Sequence, residues 1–87
     1  MQVAVWDTYV TKKDGAVMHF DIIVPDHITD EKTIHTFGKE YLLSKNQGNQ
    51  PLTAKECSFC HIEKATDEME LSIQQRGYYI IEMQNCK

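Results

Sequence analysis

VAVWDTYVTKKDGAVMHFDIIV, residues 3–24, is the stretch that decides the fold. It contains two runs rich in β-branched and aromatic residues, which favour strands. Lys12-Lys13-Asp14-Gly15 separates the runs and is a strong hairpin signal, because glycine readily adopts the positive φ that tight turns need. The second run stops at Pro25, which cannot donate a hydrogen bond to a neighbouring strand. We therefore predict a β-hairpin over residues 2–24.

The register of this hairpin has two solutions, which differ in the buried set because a slip of one residue exchanges the two faces of a strand. The first, a two-residue Asp-Gly loop, aligns Val3, Val5 and Tyr9 with Met18, Phe20, Ile22 and Val24. The second, a three-residue loop with a bulge at Gly15, aligns Ala4, Trp6 and Val10 with them instead. We favour the first. Trp6 is then either a core anchor or part of an exposed aromatic patch that marks a partner surface.

Two further segments carry helix signals. Thr29-Asp30-Glu31 is typical of a helix start, and Ile34, Phe37, Gly38 and Tyr41 then form an apolar stripe that fades near Ser44. Thr66-Asp67-Glu68 repeats the start signal, and Gly77 fits the position just after a helix end. Alternation of Met69, Leu71 and Ile73 is also compatible with a strand, but the flanking caps lead us to predict a helix.

The segment between these helices is the least regular. Thr53-Ala54-Lys55-Glu56 matches a capping box and predicts a short helix that carries Cys57 and Cys60 on one face. Residues 61–64 are too few to assign, and an edge strand is one interpretation. Residues 78–84 alternate as a strand.

The predicted order is β-β-α-α-α-β, in one domain spanning residues 1–87. We expect an α+β two-layer sandwich, with the helices on one face of a small sheet opened by the β-hairpin. The last strand is expected to lie beside a strand of that hairpin.

Composition excludes several classes of protein. The net charge is −4 and the basic residues form no patch, which argues against nucleic-acid binding. No apolar run approaches the ~20 residues of a membrane span. The first residues lack the layout of a signal peptide. Three cysteines are an odd number for a secreted disulfide scaffold. We expect a cytoplasmic protein with reduced thiols.

Cys57-x-x-Cys60-His61 is the densest chemical motif, and it has four interpretations. The first is a zinc site, with Cys86 as a third thiolate and His61 or His19 as a further ligand. The second is a redox pair with the thioredoxin spacing. The third, haem attachment, matches formally but does not suit a cytoplasmic β-rich domain. The fourth, small buried hydrophobes on a helix face, is the one we favour.

A second candidate lies in the hairpin, where His19 and Asp21 share one strand face and Asp7 lies on the other strand. These groups suit a general-base arrangement, but the sequence shows no pocket for a substrate, and cross-strand polar pairing is the favoured interpretation. No phosphate-binding loop, serine elbow or paired-carboxylate motif is present. We assign no catalytic or cofactor-binding residue.

Several motifs together resemble a family of small bacterial proteins known only as a domain of unknown function. They are Asp7-Thr8-Tyr9-Val10, Asp14-Gly15, Val17-Met18-His19-Phe20-Asp21, Gly38-Lys39-Glu40-Tyr41-Leu42, Glu56-Cys57, Phe59-Cys60-His61 and Gly77-Tyr78-Tyr79-Ile80-Ile81. The resemblance covers essentially the whole chain. It implies a bacterial, soluble, single-domain protein and carries no activity, cofactor or catalytic residue.

The sequence thus predicts a non-enzymatic binding or regulatory module, with a protein partner or a second copy as the binding partner. A structural zinc ion at Cys57, Cys60, Cys86 and His61 is part of this hypothesis, and it requires Cys86 to approach the other two cysteines. The alternative is a small thiol-based redox protein that uses Cys57 and Cys60.

Overall fold

The structure, a computed structural model, describes all 87 residues. Four strands and two helices follow one another in the order β-β-α-β-α-β. Their bounds are β1 Gln2–Thr11, β2 Val17–Pro25, α1 Glu31–Ser44, β3 Cys57–Lys64, α2 Asp67–Arg76 and β4 Tyr79–Gln84. The α+β class is confirmed, whereas the predicted third helix is absent and a fourth strand takes its place.

The four strands form one antiparallel sheet in the order β3-β1-β2-β4. The hairpin is the centre of this sheet, and β4 pairs with β2 as predicted. The two edges are therefore β3 and β4. Neither of the two helices has the length and hydrophobicity that a membrane-spanning helix needs.

The two helices pack on opposite faces of the sheet, so the predicted two-layer arrangement is wrong. Ile34, Tyr41 and Leu42 of α1 belong to the larger core, with Trp6 and Phe20 from the sheet. Met69 and Ile73 of α2 pack in the smaller core, with Val3, Val5 and Ile23. Both faces of the hairpin are thus buried near its open end, and the sheet is the middle of three layers.

The favoured hairpin register is also wrong. Val10 lies opposite Met18 and Trp6 lies opposite Ile22, which is the register of the three-residue loop. The Lys12 amide bonds to the Ala16 carbonyl at 2.7 Å, and Gly15 has φ +90°. Trp6 is consequently a core residue with 7% of its surface exposed, and not part of an exposed patch.

The predicted helix around Cys57 and Cys60 does not form. One half of the capping box is present, because the Thr53 amide donates to Glu56 Oε1 at 2.7 Å. The Thr53 hydroxyl oxygen accepts from the Lys55 amide at 3.2 Å and not from the Glu56 amide. These hydrogen bonds close a single turn, after which the chain enters β3 at Cys57. The two cysteines therefore do not share a helix face.

Both remaining helices are confirmed. The stripe of α1 faces the sheet, and Gly38 lies so close to Ile22 and Leu52 that a Cβ there would come within 2.9 Å of the Ile22 side chain. The Thr66 side chain caps α2 by accepting from the Met69 amide at 3.2 Å, and Gly77 ends it with φ +91°.

Candidate functional site

The cysteines lie apart from one another in this sheet. Cys57 starts β3 and its sulfur contacts Thr8 Oγ1 at 3.4 Å. Cys86 follows β4, where its sulfur lies 3.4 Å from the His19 carbonyl oxygen. The cysteines and His61 do not form a group of three or more ligand atoms within 4.8 Å of one another. The structure does not bring Cys86 to the pair.

Cys57 and Cys60 also differ in their surroundings. Cys57 is buried in the larger core, and burial raises the pKa of its thiol, which disfavours the reactive thiolate. Cys60 is exposed, and its sulfur lies 3.2 Å from Nδ1 of His61. His61 in turn pairs with Glu63 through Nε2 at 2.8 Å. All three cysteines are free in the structure.

The outer side of β3 is unpaired, and the strand contains a bulge. Trp6 lies opposite Phe59 and Val5 lies opposite His61, so Cys60 is an extra residue in the ladder. The bulge changes the alternation of side chains, which places Phe59 and Ile62 on the same face although they are three residues apart. Both are about half exposed, at 51% and 47%.

These two side chains border an apolar groove of about 300 Å³ on the α1 face. The sheet supplies Ala4 and Trp6 to the groove, and the loop after β2 supplies its opposite wall, namely Asp26, Ile28 and Thr29. The rings of Trp6 and Phe59 meet edge to face, with centroids 5.7 Å apart. The indole Nε1 of Trp6 is buried and has no hydrogen-bond partner. A larger depression of about 490 Å³ lies among Lys12 and residues 82–87, and its lining is mostly polar.

A polar cluster lies on the other face of the sheet, on the part that α2 does not cover. Nε2 of His19 lies 2.6 Å from Oδ1 of Asp7, and the His19 ring stacks on Tyr9 with centroids 4.1 Å apart. Partial burial and the adjacent Asp7 raise the pKa of the Asp21 carboxyl. The expected cross-strand pairing of His19 is thus present, and the structure brings the three predicted polar residues together.

Sequence reasoning missed Phe59 and Ile62, the residues that make the groove. Their signal was two large apolar side chains inside an otherwise polar segment, Cys57–Lys64. In a regular strand, residues three positions apart point to opposite faces of the sheet. Only the bulge at Cys60 puts Phe59 and Ile62 on one face, so the spacing by itself does not reveal the groove.

Comparison with known proteins gives a family without an assigned activity. The model of the family described as "Domain of unknown function (DUF2024)" matches residues 1–83. The NMR structure of protein NE1680 from Nitrosomonas europaea is 45% identical, covers 100% of both chains and has a TM-score of 0.86. No curated protein matches the chain. This chain belongs to the DUF2024 family.

Proposed function

We propose that this protein is a non-enzymatic partner-binding module that receives a short extended segment of another protein along β3. The observation that carries the proposal is the apolar groove of Trp6, Phe59 and Ile62 beside an unpaired strand edge. An edge strand offers unpaired N–H and C=O groups, and side-chain pockets next to it select among extended segments.

The groove has room for one large apolar side chain of the partner segment. A volume of about 300 Å³ is at the small end for a ligand site. Half-exposed Phe59 and Ile62 lose water when the groove is filled, at about 25 cal/mol per Å² of apolar surface.

The bulge at Cys60 sets the length of this segment. A bulge interrupts the regular spacing of donors and acceptors on the outer edge and protects the edge against long strands. Pairing of β3 with a second full-length β3 is disfavoured for that reason. A short segment, bound on one side of the bulge, is the occupant we propose.

The negative charge of the protein favours basic residues in the bound segment. The exposed carboxylate of Asp26 borders the groove, and the whole chain carries a net charge of −4. A basic residue of the partner next to the apolar one therefore gains an attractive interaction, whereas an acidic one is repelled.

A display library of random peptides tests the proposal. Peptides selected on the wild-type protein are synthesised, and their affinities are measured by the fluorescence of Trp6, which is the only tryptophan. We expect a shared apolar residue with a basic neighbour. Phe59→Ala weakens binding at least tenfold, a loss of about 1.4 kcal/mol, and Asp26→Asn reduces the salt dependence of the affinity.

The matched control is Met83→Ala. Met83 lies on the opposite edge strand, β4, and is 56% exposed, close to the exposure of Phe59. Equal loss of affinity in Phe59→Ala and Met83→Ala, or no selection of apolar peptides at all, would contradict the proposal.

A further inference from the structure

The α2 face of the sheet is covered at only one end. A helix of ten residues is about 15 Å long, and α2 packs over Val3, Val5 and Ile23. Farther along the same strands, toward the hairpin turn, the side chains on this face are polar or aromatic. They are Asp7, Tyr9, His19 and Asp21.

Three of these side chains form a compact donor set. One ligand atom from each of Asp7, His19 and Asp21 lies within 4.8 Å of the other two, and each residue is partly buried. It is the one group of three or more histidine, cysteine or carboxylate residues in the structure with that geometry. Tetrahedral zinc holds such atoms at 2.0–2.2 Å, so its ligand atoms are about 3.3 Å apart. The ligand atoms therefore need to approach one another by at most about 1.5 Å.

The arrangement has an electrostatic imbalance that a cation would relieve. Asp7 and Asp21 are direct cross-strand partners, a position in which like charges destabilise a sheet. The imidazole of His19 contacts Asp7, and His61 is a second imidazole near Asp21. Neither imidazole carries a fixed positive charge, so the two carboxylates have no permanently cationic partner. A mixed set of one imidazole and two carboxylates suits divalent transition metals, because it provides both nitrogen and anionic oxygen ligands.

We propose that Asp7, His19 and Asp21 bind a divalent transition-metal ion, with Zn²⁺ as the representative case. Each carboxylate provides one oxygen and His19 provides Nε2. Stacking on Tyr9, with ring planes 13° apart, holds the imidazole in place before the ion arrives. Three protein ligands on an open sheet face leave a fourth position for water or a partner's side chain. This site lies on the face opposite the apolar groove, so it is independent of the proposed peptide binding.

The test is a calorimetric titration of the purified full chain with Zn²⁺ at neutral pH, without chelating buffer, followed by amide NMR spectra. We expect one ion per chain, with shifts centred on Asp7, His19 and Asp21. Asp21→Asn keeps the side-chain shape and should lower the affinity at least tenfold. His19→Ala should lower it further, and unchanged amide spectra elsewhere would show that both variants fold.

Two control variants locate the ion. His61→Ala removes the histidine of the neighbouring His61–Glu63 pair, and His27→Ala removes an exposed histidine of the loop after β2. Both should bind as tightly as the wild type. The proposal is overturned if the wild type binds no Zn²⁺ at millimolar concentration. It is also overturned if His61→Ala abolishes binding while Asp21→Asn does not.

Discussion

Asp7 and Asp21 lie directly opposite each other in the ladder between β1 and β2. Folding places the two carboxyl groups side by side, and partial burial together with Asp7 raises the pKa of Asp21 above its ordinary value of 3.8. Like charges in this cross-strand position destabilise a sheet. The closeness of the two carboxyl groups is therefore both the source of this energetic cost and the basis of the proposed cation site.

Substitution of Asp21 by asparagine should stabilise the metal-free protein at pH 7. A carboxyl whose native pKa is raised destabilises the fold above that pKa, and the penalty disappears below the unfolded-state value near 3.8. Melting temperatures of Asp21→Asn and wild type, measured with chelator, should therefore differ most at neutral pH and converge as the pH falls toward 3.8. A variant less stable than the wild type at pH 7 would show that Asp21 makes a net favourable contact.

The three thiols should react at different rates. Cys60 is exposed, whereas Cys57 and Cys86 are buried, with exposures of 3% and 7%. A thiol-reactive dye should label one thiol quickly in the native protein and all three in denaturant. Cys60→Ser should remove the fast phase and Cys86→Ser should not. Fast labelling of Cys57 would contradict its burial and would favour its interpretation as a redox residue.

Phe37 should contribute strongly to stability although it is only partly buried. Its ring stacks on Tyr78 with centroids 4.7 Å apart, and it lies against Gly77, so it joins α1 to the start of β4. We expect Phe37→Ala to cost about 3 kcal/mol, at the low end for such a truncation. That corresponds to a melting temperature lower by roughly 10–20 °C in a domain of this size.

Leu43→Ala is the matched control for Phe37, because Leu43 lies on the same helix and is 69% exposed. Its melting temperature should stay within a few degrees of the wild type. Similar melting temperatures for the two variants would mean that the apolar stripe of α1 has been assigned to the wrong face.

The sequence predicted those elements whose signals are local. The caps of Thr66 and Gly77 define α2, and the stripe from Ile34 to Tyr41 defines α1. The hairpin was also predictable, since Asp14-Gly15 fixes a turn between two apolar runs. In each case a few adjacent residues contain enough information, because capping and turn geometry depend on near neighbours.

The register was mispredicted because both faces of β1 are buried. Val3 and Val5 pack under α2, whereas Ala4, Trp6 and Val10 pack under α1. Alternation of apolar and polar residues identifies a buried face only when the other face meets water. The helix on the second face removes that contrast, and no local pattern reveals on which side α2 will pack.

The positions of the cysteines were not predictable from local sequence, because they depend on the pairing and order of the strands. Half of the Thr53–Glu56 capping box forms, but the chain enters β3 after one turn. Pairing of β3 with β1 is a long-range contact that has no local signal. Separation of Cys57 from Cys86 follows from the strand order, which the sequence does not display. His19 and Asp21 were found because they share a strand, and Asp7 because the hairpin had been recognised.

The most direct test of the partner-binding account is the hydrogen exchange of the β3 amides, measured by NMR with and without a selected peptide. Amides of β3 that do not bond to β1 face solvent in the free protein, so they should exchange fast. We predict that saturating peptide slows these amides at least tenfold and leaves β4, the other edge, unchanged. Protection of β4 amides, or tight binding without protection in β3, would contradict the account.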